Sequence, residues 1–289
     1  MHASKDYAYL CSDDPANTAA AAITSADASL FANIKQQSFE QMALGTGARV
    51  LDVGCGAGTD TVALGRLIGP HGEVHGVDYD VAMVSVADAC ARFNAVDAWV
   101  SHHHANAAAL PWPSGYFDAC RSECVFQHLH EPERAYDEIL RVTKAGGQLV
   151  LIDTDWATLT IDTDETELER RLVQFHAAHM MNNPYSGRHL NRMFHRRGLQ
   201  NIRLKVQPVC MTDLALARQI LRLDHIAEEA LAAGAIDAEQ ASRWQQSLAR
   251  LSTAGGFFAS LNIVMVSGQK PAHGRHARPG QPLGSPSPT

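Results

Sequence analysis

Apolar positions along this 289-residue chain repeat with two different periods, and the switching between them is the first guide to its fold. Short runs rich in Val, Ile and Leu predict strands near residues 49–53, 73–77, 98–103, 117–122 and 147–152. The segments between them carry the three- and four-residue apolar spacing of helices. Strands separated by helices assemble into a parallel sheet, so the expected fold class is α/β. A ligand of such a sheet lies outside the C-terminal strand ends, where Gly54–Gly58, Asp78, Asn106 and Glu123 all fall.

The flanks read differently. Residues 15–43 are alanine-rich and helix-compatible, with Ile23, Leu30, Phe31, Ile34, Phe39 and Met42 on a helical spacing, which predicts an N-terminal helical cap over 1–45. Residues 155–183 hold a helical stretch with Leu168, Leu172, Phe175 and Met180, followed by a helix near 186–197 that Gly198 stops and a sixth strand near 201–209. About 45 residues then separate this strand from a seventh at 257–266. They predict one helix from Thr212–Asp213 to Gly234 and a second that starts at Asp237, with Gln240 completing a capping box, and runs to about Leu251. The remainder, 269–289, is rich in Pro, Gly and Ser without apolar periodicity and is expected to be a disordered tail.

Chemistry enters at Val50-Leu51-Asp52-Val53-Gly54-Cys55-Gly56-Ala57-Gly58-Thr59, a buried-strand pattern that runs into a glycine turn and then a helix. A strand, a glycine turn and a helix N-terminus open a βαβ nucleotide-binding unit. The glycines are spaced G-x-G-x-G, tighter than the G-x-G-x-x-G of dinucleotide sites, which favours a ligand without a pyrophosphate. Twenty positions after Gly58, the strand Glu73–Val77 ends on Asp78. An acceptor-only carboxylate there suits both hydroxyls of a ribose, although a surface loop aspartate is the plainer alternative for that residue taken alone.

Taken with Ala105-Asn106-Ala107-Ala108-Ala109-Leu110-Pro111-Trp112-Pro113, Tyr116-Phe117-Asp118-Ala119 and Lys144-Ala145-Gly146-Gly147-Gln148-Leu149-Val150-Leu151-Ile152, these motifs resemble the class I S-adenosylmethionine-dependent methyltransferases. The resemblance covers residues 46–155 and is closest to the bacterial small-molecule branch that includes the ubiquinone and menaquinone enzymes. It implies a Rossmann-like seven-stranded, mostly parallel sheet with helices on both faces. The methyltransferase domain would span 46–268, with helical lid insertions about 155–185 and 212–252. It also implies S-adenosyl-L-methionine as methyl-donor cosubstrate, held by Asp52, Gly54, Cys55, Gly56, Asp78, Tyr79, Met83, Asn106, Ala107 and Glu123. Asn106 stands where the family usually has aspartate; its carbonyl can still accept from the adenine amine, losing charge assistance of about 1 kcal/mol.

The implied activity is methyl transfer to an O, N or C nucleophile of a small metabolite, releasing S-adenosylhomocysteine. Two alternatives keep the cofactor site: an enzyme of the same fold with other chemistry, or a non-catalytic cofactor-binding subunit. A dinucleotide oxidoreductase fits less well, for lack of a Tyr-x-x-x-Lys pair. Methyl transfer to a positioned nucleophile asks mainly for alignment, with a base needed only when the acceptor carries a proton at neutral pH. The candidate base is His128, after strand four, where a structural histidine holding the loop is the competing reading. Asp153, Asp155 and Trp156 follow strand five. Trp156 is a stacking surface for a planar acceptor, and Asp155 is either a polar contact or a helix cap. His176, His179, Tyr185 and His189 are candidate lid contacts to the acceptor. No metal is expected, because His102-His103-His104 on a strand alternate between faces and His176-x-x-His179 lacks a partnering acid or cysteine motif.

Composition narrows the partners. A net charge of −7 and a pI near 6.1 give no general attraction to nucleic acid or anionic membranes, so a small-molecule acceptor is favoured. The six cysteines are scattered without C-x-x-C pairs, the N-terminus lacks the order of a signal peptide, and no apolar run approaches the roughly 18 residues of a membrane helix. A soluble cytoplasmic protein without membrane insertion is therefore expected. The helices near 213–251 are equally suited to covering the site or pairing two chains into a homodimer.

Overall fold

A computed structural model describes residues 20–272, with side chains from residue 31 onward. Residues 1–19 of the expected cap and the tail beyond 272 lie outside the described residues. Seven strands, β1 Arg49–Val53, β2 Glu73–Asp78, β3 Val100–His104, β4 Phe117–Glu123, β5 Thr143–Ile161, β6 Gln200–Met211 and β7 Ala259–Gln269, form one sheet in the order β3-β2-β1-β4-β5-β7-β6. Strands β1 to β5 pair in parallel, and β7 runs antiparallel between β5 and β6. The chain moves outward from β1 to β3 and then crosses back to β4, so the β1–β4 boundary is the topological switch point where α/β sheets bind ligands.

Side-chain alternation on these strands builds two cores. Val50, Val74, Val100, Val150 and Ile152 face one side, with α1 (Ala20–Gln41) and α2 (Thr59–Ile68). Leu51, Val53, Val77, Leu149 and Leu151 face the other, with α4 (Pro132–Val142) and α6 (Ser186–Arg196). Further helices are α3 Val81–Phe93, α5 Thr166–Phe175, α7 Leu214–Leu221, α8 Leu223–Ala232 and α9 Ala238–Thr253. The last four extend the first core; they contribute Leu172, Ile220, Ile226 and Trp244 to it.

The structure departs from the sequence expectations in two places that shape the site. Residues 155–161 are strand, not helix, because β7 offers a partner along the whole length from Gln148↔Gln269 to Ile161↔Ala259. The irregularity between Asp155 and Thr160 is closed by Thr158, whose hydroxyl donates to Asp155 O (2.6 Å) and accepts from Asn262 N (2.8 Å). The single helix expected up to Gly234 is two, α7 and α8, broken at Arg222 in the left-handed region (φ 53°). Leu221 and Leu223 are both buried. Residues two apart point to opposite sides of a continuous helix, so the break lets both face the core. The expected tail also begins later: Lys270 N donates to Gly147 O and its Nζ to Leu140 O and Thr143 O.

The capping box at the start of α9 forms as the spacing requires, with Gln240 N donating to Asp237 Oδ1 at 2.7 Å and Asp237 N donating to Gln240 Oε1 at 3.0 Å. Replacing Asp237 with Ala should lower stability by about 1 kcal/mol in urea unfolding, while Asp237→Asn retains most of it. Equal losses for both variants would remove the cap from the explanation.

Candidate active site

The turn after β1 is held from three sides. Gly54 N and Cys55 N donate to Val77 O (2.7 and 3.0 Å), and Gly56 N donates to Asp78 Oδ2 (2.9 Å). Gly54 has φ +77°, and a Cβ there would lie 2.1 Å from Val125 Cγ2, so only glycine lets the turn pass beneath the loop after β4. Asp78 uses its other oxygen to accept from Asp80 N (2.9 Å), at the start of α3. A carboxylate has about four acceptor positions, so Asp78 shapes the turn and retains capacity for a diol.

The segment expected beside adenine starts at the same strand end, since Ala105 N donates to Asp78 O at 3.1 Å. Asn106 is exposed, and its Oδ1 accepts from Ala108 N at 2.8 Å, which commits one lone pair to a local turn. Ala107 is buried, Met83 is half-buried on the first turn of α3, and Tyr79 is exposed beside His104. Gly54, Cys55, Gly56, Asp78, Asn106 and Ala107 are thus brought together through Asp78 and its backbone.

On the other side of the turn lies a charged cluster. Asp52, at register with Arg121 on the neighbouring strand, accepts from its Nη1 at 3.2 Å. The same guanidinium pairs with Asp60 of α2 at 3.0 Å and with Glu123, and its Nε donates to Ser38 Oγ of α1 at 3.0 Å. Lys35 of α1 reaches Asp60 at 3.4 Å, and the Phe39 ring lies against the guanidinium. Asp52, Asp60, Arg121 and Glu123 line a recess with Gly54, Cys55, Gly56 and Thr59. Burial pushes Asp52 up to about 7 against the pull of Arg121. Burial acts on Asp60 in the same direction, yet Arg121 and Lys35 together hold it below the usual carboxylate range. Burial alone would lower Arg121, but Asp60, Glu123 and Asp52 raise it.

Beyond β4 the turn Phe126–His128 carries a second network. An indole N–H only donates, so the 2.7 Å contact of Trp156 Nε1 fixes Gln127 Oε1 as acceptor, and the Gln127 amide nitrogen then donates to Cys124 O (3.2 Å) and His128 Nε2 (3.1 Å). His128 therefore holds its proton away from Nε2, and burial pushes it down to about 4. Asp153 accepts from Gln127 N and Thr154 N, while burial pushes it up to about 7. The segment before α6 fastens onto this turn: Asn182 Nδ2 donates to His128 O at 2.7 Å, and Asn183 Nδ2 donates to Phe126 O and Leu129 O. Asp155 is paired with Arg188 at 2.6 Å. His176, in the π-helical turn His176–Met180 after α5, packs edge-on against Trp156, and its Nε2 is buried with no hydrogen-bond partner among the described residues. His179 stacks on Phe175, and Tyr185 lies near His189.

The three consecutive histidines diverge. His102 is buried between Thr61 Oγ1 (2.7 Å) and Asp88 (2.9 Å), His103 faces His75 and Trp112, and His104 is exposed. Sequence reasoning missed Arg121, Asp60, Gln127 and Asn183. Arg121 had a signal, because a lone cation inside the buried-strand run Phe117–Glu123 has to be paired.

Residues 51–151 match the family model described as a methyltransferase domain. These residues form a methyltransferase domain. The chain is 33% identical over 224 residues to an uncharacterized 37.1 kDa protein in transposon TN4556 of Streptomyces fradiae, covering 77% of this chain and 63% of that one. It is 36% identical over 107 residues to the ubiquinone/menaquinone biosynthesis C-methyltransferase of Yersinia enterocolitica, covering 37% and 43%. The chain thus spans less than two thirds of the length of these relatives. Among solved structures, the [4+2]-cyclase SpnF shares the fold at TM-score 0.53 and 22% identity (83% and 82% covered). So does geranyl diphosphate C-methyltransferase from Streptomyces coelicolor, solved with Mg2+, geranyl diphosphate and S-adenosyl-L-homocysteine, at TM-score 0.55 and 16% identity (89% and 88% covered). Among the described residues no helix is long and apolar enough to cross a membrane.

The raised carboxyl of Asp52 sets a pH dependence with a definite sign. Its folded value, about 7, exceeds the ordinary 3.8, so its stabilising contribution is fully present below pH 3.8 and is lost as the pH rises through 7. His128 and His176, both pushed down to about 4 from 6.5, act oppositely, gaining stability as pH rises from 4 to 6.5. A substitution isolates the first effect: relative to the parent, ligand-free Asp52→Asn should become progressively more stable as pH rises from about 6 to about 8 in urea unfolding. A variant that loses stability relative to the parent over that range would contradict the raised carboxyl.

Proposed function

We propose that this chain transfers the methyl group of S-adenosyl-L-methionine to a nucleophile of a small metabolite and releases S-adenosylhomocysteine. The observation that carries this reading is the hydrogen-bonded assembly at the switch point, where Asp78 joins the glycine turn, the start of α3 and the Asn106 segment. A small recess lined by Asp52, Gly54, Cys55, Gly56, Thr59 and Glu123 adjoins the glycine turn. When bound, the donor supplies an activated sulfonium methyl group. Asp78 holds the ribose, Tyr79, Met83, Asn106 and Ala107 border the adenine, and Asp52, Gly54, Cys55, Gly56 and Glu123 surround the methionyl end. The acceptor lies over the ends of β4 and β5, beneath α5 and α7–α9 acting as lids over about 155–185 and 212–252.

His128 remains the candidate base only if Gln127 releases its Nε2, since that lone pair accepts from the Gln127 amide. Alignment by Trp156, Gln127 and the fastened lid is the larger contribution, on the order of several kcal/mol for a well-placed nucleophile. The negative net charge supports a small acceptor over a nucleic acid. Methylation at O, N or C is left to the acceptor, and the relation to the quinone C-methyltransferases favours an electron-rich carbon or oxygen.

The cyclase among the structural neighbours supports keeping one second reading, chemistry other than methyl transfer on the same site. Thermal shift comes first. S-adenosylhomocysteine at about 100 times its Kd should stabilise the chain by roughly 2.7 kcal/mol, and NAD should not. Asp78→Ala should weaken the binding by at least about tenfold, the loss of charge-assisted hydrogen bonds. Turnover of methyl-deuterated donor with a panel of quinols, phenols and amines then separates the two readings by mass spectrometry. Stabilisation by NAD alone would reject the adenosylmethionine site, and product formed without S-adenosylhomocysteine would favour the second reading.

A further inference from the structure

The His102 ring lies against the glycine turn, in space that two glycines leave open. A Cβ on Gly58 (φ +83°) would come within 3.1 Å of His102 Nε2 and 2.8 Å of Ala87 Cβ, and one on Gly76 within 2.6 Å of His102 Cδ2 and 2.8 Å of Cys55 Sγ. The ring joins three elements. Its Nδ1 lies 2.9 Å from Asp88 Oδ1 of α3 and its Nε2 2.7 Å from Thr61 Oγ1 of α2, while Thr61 Oγ1 lies 2.7 Å from Gly58 O. Gly58 O also accepts from Val62 N (3.1 Å), and Gly58 N donates to Cys55 O (3.0 Å), so this peptide is where the turn passes into α2.

These contacts cannot all be made with a neutral ring. A carboxylate only accepts, so Asp88 places a proton on Nδ1, and a neutral ring then offers Nε2 as an acceptor. The Thr61 hydroxyl has one proton and two acceptors at the same distance, Nε2 and Gly58 O. It serves one of them. When the ring gains a second proton, Nε2 donates to Thr61 Oγ1 and the hydroxyl proton is free for Gly58 O. Burial is the largest influence on the ring and holds it below its ordinary value. Among the described residues, Asp88 of α3 favours the second proton, His103 of the same strand opposes it, and Cys55 of the turn adds no charge because burial pushes its thiol up.

We propose, resting on the cofactor reading above, that His102 is a positioning residue for the donor's glycine turn: a proton taken from solvent at Nε2 turns the Thr61 hydroxyl from the ring to the Gly58 carbonyl and fixes the turn for its ligand. A turn fixed in advance has less freedom to lose on binding. Linkage makes the effect reciprocal, so a ligand that needs the fixed turn strengthens the hold of His102 on its second proton by the same factor. His102, Thr61 and Asp88 act through Gly58, away from the reacting atoms.

Calorimetric titration of the full chain with S-adenosylhomocysteine between about pH 8 and about pH 5.5 tests it, in the parent, Thr61→Ser and Thr61→Val. Valine keeps the shape of threonine and lacks the hydroxyl. Thr61→Val should bind about three- to tenfold more weakly than the parent at the acid end and within about twofold of it at the alkaline end, whereas Thr61→Ser follows the parent at both. Comparison with the parent cancels the carboxyls of Asp52 and Asp153, which titrate in the same range. Nitrogen NMR of labelled histidine, with the His102 signals assigned by their loss in His102→Gln, should show the Nδ1–H tautomer at the alkaline end. The ring's titration should move to higher pH on ligand binding in the parent and stay in place in Thr61→Val. His102→Gln, whose amide does not titrate, should also lack the parent's gain in affinity at the acid end, which keeps the test open should Thr61→Val fail to fold. A deficit equal at both ends, a serine variant that behaves like valine, or a ring that stays neutral across the range with ligand bound overturns the inference and leaves the cofactor reading intact. If S-adenosylhomocysteine does not bind the parent at either end, the cofactor reading itself falls and takes the inference with it.

Discussion

A guanidinium in the middle of a strand covered on both faces has to be surrounded by acceptors, since an uncompensated buried charge costs several kcal/mol. Arg121 meets that demand with groups from four different elements: Ser38 from α1, Asp52 from β1, Asp60 from α2 and Glu123 from its own strand. The requirement couples their positions. Helix α1 cannot shift without exposing Arg121 and Lys35, and α2 cannot turn without withdrawing Asp60. The glycine turn joins β1 to α2, so the charged cluster also fixes both ends of that turn. Ion pairs of this kind often add little net stability, because desolvation offsets attraction. What the cluster adds here is register: it makes one arrangement of α1, β1, α2 and β4 electrostatically acceptable and others not.

Much of the fold was legible because its determinants are local. The strands 49–53 and 73–77 match β1 and β2 within a residue, since a buried parallel strand writes itself as a continuous aliphatic run. The capping box at Asp237 and the divergence of His102, His103 and His104 follow from spacing alone. Where the reading went astray, the deciding partner was distant. Residues 155–161 carry a mixed pattern, and only β7, about a hundred positions later, makes them strand. Nothing in the run around Arg222 breaks a helix by propensity. The break comes from burying Leu221 and Leu223 together, which is a property of the finished core.

The candidate site divides along the same line. The glycine turn and its link to Asp78 were legible because they are linear motifs whose backbone conformation depends on glycine at fixed positions. Asn106 was readable as a position but not in its full role, since its carbonyl oxygen also supports the turn to Ala108. The network beyond β4 was legible only in part. His128 and Trp156 stood out by residue type and position, whereas Gln127 and Asn183 carry no motif. Their arrangement appears only when the indole N–H fixes the orientation of the Gln127 amide and thereby the proton position on His128.

That locked amide bears on how the two halves of the site divide the work. With Gln127 donating to Nε2 and burial favouring the neutral ring, His128 is built to keep a fixed orientation at neutral pH rather than to exchange protons readily. Burial instead raises the carboxyls of Asp52 and of Asp153, which accepts from the Gln127 backbone, to about 7. Methyl transfer from an already cationic donor needs geometry more than a strong base. Under the proposed function, the orientation that Trp156 and Gln127 impose on His128 suits a reaction governed by alignment.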